Sequence, residues 1–191
     1  MDSAVQAALA KWPNVPACYG WLSLDRRGQW RLQSDPVRHA GLIAFMNSNY
    51  GCDEQGNWFV QNGPQKVYVT LEYTPWVLRL ETDGRLETHT GLALENSTQA
   101  LLDEEGNLLL ICEHGVGLLD DRDLPTLLGQ ITDRQRQPAD EDNIVALLDG
   151  RNTGLFLALG ETLLTLKPTR RNKVPAEFGF VAKPEPPFTN T

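Results

Sequence analysis

Residues 57–80 read NWFVQNGPQKVYVTLEYTPWVLRL. Val67, Val69 and Leu71 alternate with Tyr68, Thr70 and Glu72, the period of a half-buried strand. Strands are therefore expected at about 57–61, 66–72 and 76–82. Residues 143–166, NIVALLDGRNTGLFLALGETLLTL, lie over this stretch without a gap. Trp58-Phe59-Val60 falls over Ile144-Val145-Ala146. Val69 and Leu71 fall over Leu155 and Leu157, and Val77, Leu78 and Leu80 over Leu163, Leu164 and Leu166. Asp53-Glu54 precedes the first stretch and Asp140-Glu141 the second. Taken alone, 142–150 is ambiguous between helix and strand, since Ile144, Ala146, Leu147 and Leu148 suit either. The register with the first stretch places a strand at about 143–148, followed by strands at 153–159 and 162–167.

Working outward, Asp25-Arg26-Arg27-Gly28 reads as a turn. The Asp side chain bonds the following backbone and Gly accepts positive φ. It joins strands at 18–24 and 29–33. Asp35-Pro36 then opens a helix over about 37–49, striped by Leu42, Ile43, Phe45 and Met46. Asp83-Gly84 joins 76–82 to 85–90. The pattern restarts at 98–102, where Asp103-Glu104-Glu105-Gly106 turns into 107–112 and His114-Gly115 turns into 116–119. Asp120, Asp121 and Asp123 before Leu124-Pro125 mark a helix start that runs to about 132, and 133–142 reads as a loop.

The expected fold is α+β and mainly antiparallel, with three short helices: two tandem repeats, each a β-hairpin, a helix and a three-stranded antiparallel meander. The division runs 1–17 for an N-terminal helix (3–12) and linker, 18–92 and 93–168 for the repeats, and 169–191 for a C-terminal extension. Pro184, Pro186 and Pro187 give that extension an end without fixed structure.

In the 191 residues, 25 acids outnumber 17 bases, for a net charge of −8. Phosphate backbones and anionic membranes are bound by clustered Lys and Arg, so neither nucleic acid nor a membrane surface is an expected partner. Cys18, Cys52 and Cys112 are far apart and odd in number, which gives no disulfide framework and suits a reducing cytoplasm. Neither a signal peptide nor an apolar run long enough to span a bilayer is read.

The run Asp25-Arg-Arg-Gly-Gln-Trp-Arg-Leu, the helix after Pro36, and then Asn57-Trp-Phe-Val, Lys66-Val-Tyr-Val-Thr-Leu-Glu and Pro75-Trp-Val-Leu resemble an uncharacterised proteobacterial family of unknown function. The likeness covers roughly 18–132. It implies tandem hairpin-and-helix units and a signalling or small-ligand role, and it carries over no site residues.

No phosphate-binding loop, dinucleotide fingerprint, nucleophile elbow or zinc-protease motif is present. No cofactor is expected. Cys112-Glu113-His114 is the densest ligand cluster: on a strand, residues 112 and 114 share a face, so sulfur and imidazole could meet at a metal or as nucleophile and base. The plainer reading is a buried cysteine and a polar turn histidine. Trp30, Trp58, Trp76 and Tyr68 sit on hairpin strands, as core or as a ligand platform. Three functions follow. The first is a non-enzymatic small-ligand-binding or regulatory protein using the groove between its repeats. The second is a protein-interaction adaptor presenting its Pro-rich tail. The third is a thiol- or metal-dependent enzyme built on Cys112 and His114.

Overall fold

The computed structural model describes residues 17–187. The helix expected at 3–12 lies outside them. The described residues divide into two compact units, 17–75 with 179–187, and 76–178.

The first unit holds a six-stranded sheet. Its strands are β1 (Cys18–Leu24), β2 (Trp30–Leu32), β3 (Asp35–Pro36), β4 (Tyr50–Cys52), β5 (Trp58–Asn62) and β6 (Gln65–Leu71), in the order β3-β2-β1-β6-β5-β4. Helix α1 (Ala40–Ser48) connects β3 to β4. Neighbouring strands are antiparallel except the central pair, β1 and β6, which is parallel, with Leu22 opposite Val69 and Leu24 opposite Leu71. These four side chains and Trp30 are buried on one face.

The second unit holds an eight-stranded sheet. It comprises β7 (Trp76–Leu80), β8 (Leu86–Thr88), β9 (Ser97–Leu102), β10 (Leu108–Cys112), β11 (Gly115–Leu119), β12 (Ile131–Thr132), β13 (Phe156–Leu159) and β14 (Thr162–Pro168). Its order is β12-β13-β14-β9-β10-β11-β7-β8. Read from β11 to β12, the six strands β9–β14 follow the same order as β1–β6, again with their first and last members, β9 and β14, parallel at the centre. Helix α2 (Leu124–Leu128) occupies the place that α1 has in the first unit, between the third and fourth strands. Leu108, Leu109 and Leu110 are all fully buried, so β10 is covered on both faces.

The structure departs from the sequence reading at several places, among them the helix expected from 124 to about 132, which ends at Leu128 and gives way to β12 at Ile131–Thr132. Residues 141–148 form helix α3, not a strand. Asp140 accepts the Asn143 N–H at 2.7 Å, Glu141 and Asp142 favour the positive end of the helix, and Leu147 is buried. This local capping outweighs the gapless overlay on 57–80. The helix expected at 37–49 begins at Ala40. Gln33 and Ser34 take positive φ and fold Asp35–Pro36 back as β3, leaving His39 to cap through Nδ1. Residues 76–92 belong with the second unit, because β7 runs parallel beside β11 with Val77 opposite Leu118. The parallel pairs β1/β6, β7/β11 and β9/β14 also interrupt the expected antiparallel order.

A last correction concerns the tail. After β14, a 3₁₀ turn (Arg171–Lys173) leads into helix α4 (Val174–Glu177), and residues 179–187 rejoin the first unit. Val181 donates to the Gly56 carbonyl at 2.9 Å, Leu71 donates to the Ala182 carbonyl at 2.8 Å, and Phe180 and Pro184 are buried. A Cβ on Gly56, at φ +82°, would stand 2.3 Å from the Gly179 carbonyl oxygen, so only glycine lets the returning segment lie this close. Phe180→Ala is expected to cost about 3–5 kcal/mol in chemical denaturation, the usual loss for emptying a buried phenyl site. An unchanged unfolding midpoint would mean that the returning segment does not support the first unit.

Candidate functional site

The second unit contains a cleft of about 740 Å³. Leu80 of β7 and Leu86 of β8 come from one end of its sheet, and Ala158 of β13 and Leu164 of β14 from toward the other. Strands so far apart in the sheet order line one space only because the sheet curls. Leu127 of α2 and Leu94 complete the apolar lining. The polar lining comes from Arg85, Glu95, Asn96, Thr126, Gln130 and Thr162. Leucines and polar side chains share the lining, and the volume lies in the range of small-molecule seats.

Two loops fix the rim. Arg85 Nε donates to Asp83 Oδ2 at 2.7 Å across the tight turn joining β7 and β8. On the other side, the Glu113 carboxylate accepts the N–H of Glu95 at 2.7 Å and of Asn96 at 3.2 Å. Burial alone would raise the Glu113 pKa, but these N–H bonds outweigh it and hold the group below the ordinary carboxylate range.

Glu113 thus anchors the loop that carries Glu95 and Asn96, while its sequence neighbours serve other ends. Cys112 is buried, its thiol donates to the Gly115 carbonyl at 3.4 Å, and burial pushes its pKa up, against thiolate formation. His114 bonds the Ala93 carbonyl through Nε2 at 3.2 Å and lies 3.7 Å from Glu113. Among the described residues no group of three or more His, Cys, Asp and Glu is placed to hold a metal. All three cysteines are free thiols.

The four aromatic candidates do not line the cleft. In the first unit, Trp30 is buried, donates to Asn47 Oδ1 at 2.7 Å and meets the Tyr50 ring edge-on. Trp58 lies against the other side of Tyr50, whose hydroxyl donates to the Pro75 carbonyl at 2.9 Å. Tyr68 stacks on Tyr19 at 4.6 Å and donates to Asp53 Oδ2 at 3.1 Å. Trp76, in the second unit, is buried beside His89 and donates to the His114 carbonyl at 2.7 Å. The polar handles of Trp30, Tyr68 and Trp76 each have an internal partner, as buried aromatic groups require. The cleft residues escaped the sequence reading because leucines and turn residues carry no chemical signature. The hairpin turn at Asp83-Gly84 was the one visible pointer to its rim.

With this geometry in place, comparison with known proteins gives one family. The model of the DUF2944 family, described as "Protein of unknown function (DUF2946)", matches residues 1–185. The chain belongs to this family. No curated protein matches significantly. Among solved structures, the chain is similar to a DUF1285 family protein from Silicibacter pomeroyi, with a TM-score of 0.52 and 15% identity over 87% of this chain and 96% of that one. A DUF1285 family protein from Shewanella baltica gives a TM-score of 0.42 and 19% identity over 56% and 88%. At such identity the first likeness speaks to fold alone. Among the described residues no helix is long and apolar enough to cross a membrane.

Burial lowers the His89 pKa to about 3. An unfolded histidine titrates near 6.5, so the folded state favours the neutral ring. His89 therefore contributes stability that is fully present above about pH 6.5 and is lost as pH falls from there toward 3, with a limiting slope of about 1.4 kcal/mol per pH unit. His89→Asn keeps an acceptor near the Val77 N–H that Nδ1 now serves. Denaturation between pH 7 and pH 5 should show a shallower loss in this variant than in the parent chain. Equal slopes would remove His89 from the acid response.

Proposed function

We propose that the protein is a non-enzymatic small-ligand-binding or regulatory protein, and that the cleft of the second unit is its ligand seat. The observation that carries this reading is the cleft itself: about 740 Å³, lined by leucines and by polar side chains from two loops and a helix. The reducing-compartment reading goes with it, since Cys18, Cys52 and Cys112 are free thiols.

The geometry lends less to the alternatives. A thiol enzyme needs a lowered cysteine pKa, and that of Cys112 is raised. An adaptor presenting its tail needs the tail free, and residues 180–184 are engaged within the first unit.

Thr126 is exposed on α2 and lines the cleft. Thr126→Trp should fill the space without disturbing the core. A ligand at a hundred times its dissociation constant stabilises by about 2.7 kcal/mol, or roughly 5–10 °C for a chain of this size. In a thermal-unfolding screen of small amphiphiles and metabolites, a hit is expected to shift the parent chain by this amount and Thr126→Trp by little. Hits that shift both equally would place binding elsewhere and overturn this reading.

A further inference from the structure

We infer that the cleft of the second unit selects a cationic amphiphile: a compact apolar body carrying an ammonium or similar positive end. The inference deepens the proposed function and rests on the cleft being a ligand seat.

The apolar end is set by Leu80, Leu86, Leu94, Leu127 and Leu164, which give the interior no charge and no aromatic ring. The charged end is set by the rim. Glu95 lines the cleft directly and is exposed. The Glu113 carboxylate does not line the cleft but anchors the loop that does, accepting from the backbone N–H groups of Glu95 and Asn96. The single cation among the lining residues, Arg85, is already answered: its Nε is bonded to Asp83, and Glu87 and Glu81 lie within electrostatic reach of it. The Arg136 guanidinium is not among the lining residues and is held by the carbonyls of Gly160 and Glu161. With Arg85 paired to Asp83, the Glu95 carboxylate is the lining charge without an ion-pair partner among the described residues, in keeping with the net charge of −8.

An anionic head group would meet this charge and would have to draw Arg85 away from Asp83. A cationic one is attracted from a distance and finds the Glu95 carboxylate on arrival. With no aromatic side chain in the lining, recognition of the cation falls to the Glu95 carboxylate and not to ring faces.

The test uses the full chain and three probes that share one apolar body, decylammonium, decanol and decanoate, titrated calorimetrically below their aggregation limits. At low ionic strength decylammonium should bind roughly tenfold tighter than decanoate, about 1.4 kcal/mol, with decanol between. Added salt should narrow that gap. Glu95→Gln should narrow it several-fold while leaving decanol unchanged, and Thr126→Trp should weaken all three. If decanol binds and Thr126→Trp blocks it, yet decanoate equals or surpasses decylammonium, the cation preference is wrong and the ligand seat stands. If decylammonium binds Thr126→Trp as well as the parent chain, it is held by the acidic surface and the inference fails. If none of the three binds, the ligand-seat reading falls, and this inference with it.

Discussion

At Asp103 a carboxylate with no exposed surface accepts the N–H of Glu105 at 3.0 Å and of Asn107 at 2.8 Å. Its own N–H reaches the Asn107 carbonyl at 3.1 Å, and Gly106 closes the loop onto the Asp103 carbonyl at 3.0 Å. The same arrangement recurs at Asp25, Asp53 and Asp133, each accepting N–H groups two and four residues on. The residue three beyond the Asp has positive φ in all four turns: Gly28, Gly56, Gly106 and Arg136. Asp25 and Asp103 are buried and Asp53 and Asp133 half-buried, and all four are satisfied by backbone donors of their own turns. Three of the turns reverse the chain between adjacent strands, joining β1 to β2, β4 to β5 and β9 to β10. They fix which residues stand opposite one another, and the side-chain faces follow.

From that constraint the rest of each sheet is built. Once β1 and β2 are in register, Leu22, Leu24 and Trp30 share a face and β6 can close in parallel beside β1. In the second unit the same logic brings β14 beside β9. The fourth Asp turn differs: between β12 and β13 the chain makes a longer excursion that carries α3, and Arg136 holds the strained position where the others have glycine. The edge strands that remain, such as β3 and β12, are only two residues long, which limits pairing with other chains.

Much of this was legible. Asp followed by Gly three residues later announced the turns at 25–28 and 103–106, and alternation announced β1, β5, β6, β9 and β10 within a residue or two. What failed had a physical reason. Residues 143–148 favour neither state by composition, so Asp140 decided for helix where a distant overlay pointed to strand. The short strands β3, β4 and β12 have too few residues for a period to show. Parallel pairing is a property of the whole sheet and leaves no local mark. The site was less legible than the fold. Trp and Cys draw the eye because they carry chemistry, yet Trp30, Trp76 and Cys112 are buried within the structure. The cleft is made of leucines and loop residues, brought together only by the curl of the sheet.

The cleft inherits its shape from the turns. Asp103 fixes β9 against β10, β14 pairs with β9, and Leu164 on β14 enters the cleft. The central claim is that buried carboxylates in the hairpin turns hold the sheets in order, and urea denaturation of Asp103→Ala and Asp103→Asn tests it most directly. Removing the acceptor leaves the Glu105 and Asn107 N–H groups and the Asn107 amide unserved, at a cost of about 2–4 kcal/mol. The account predicts that loss for Asp103→Ala and a smaller one for Asp103→Asn, which keeps one oxygen. An Asp103→Ala chain that unfolds at the parent midpoint would contradict it.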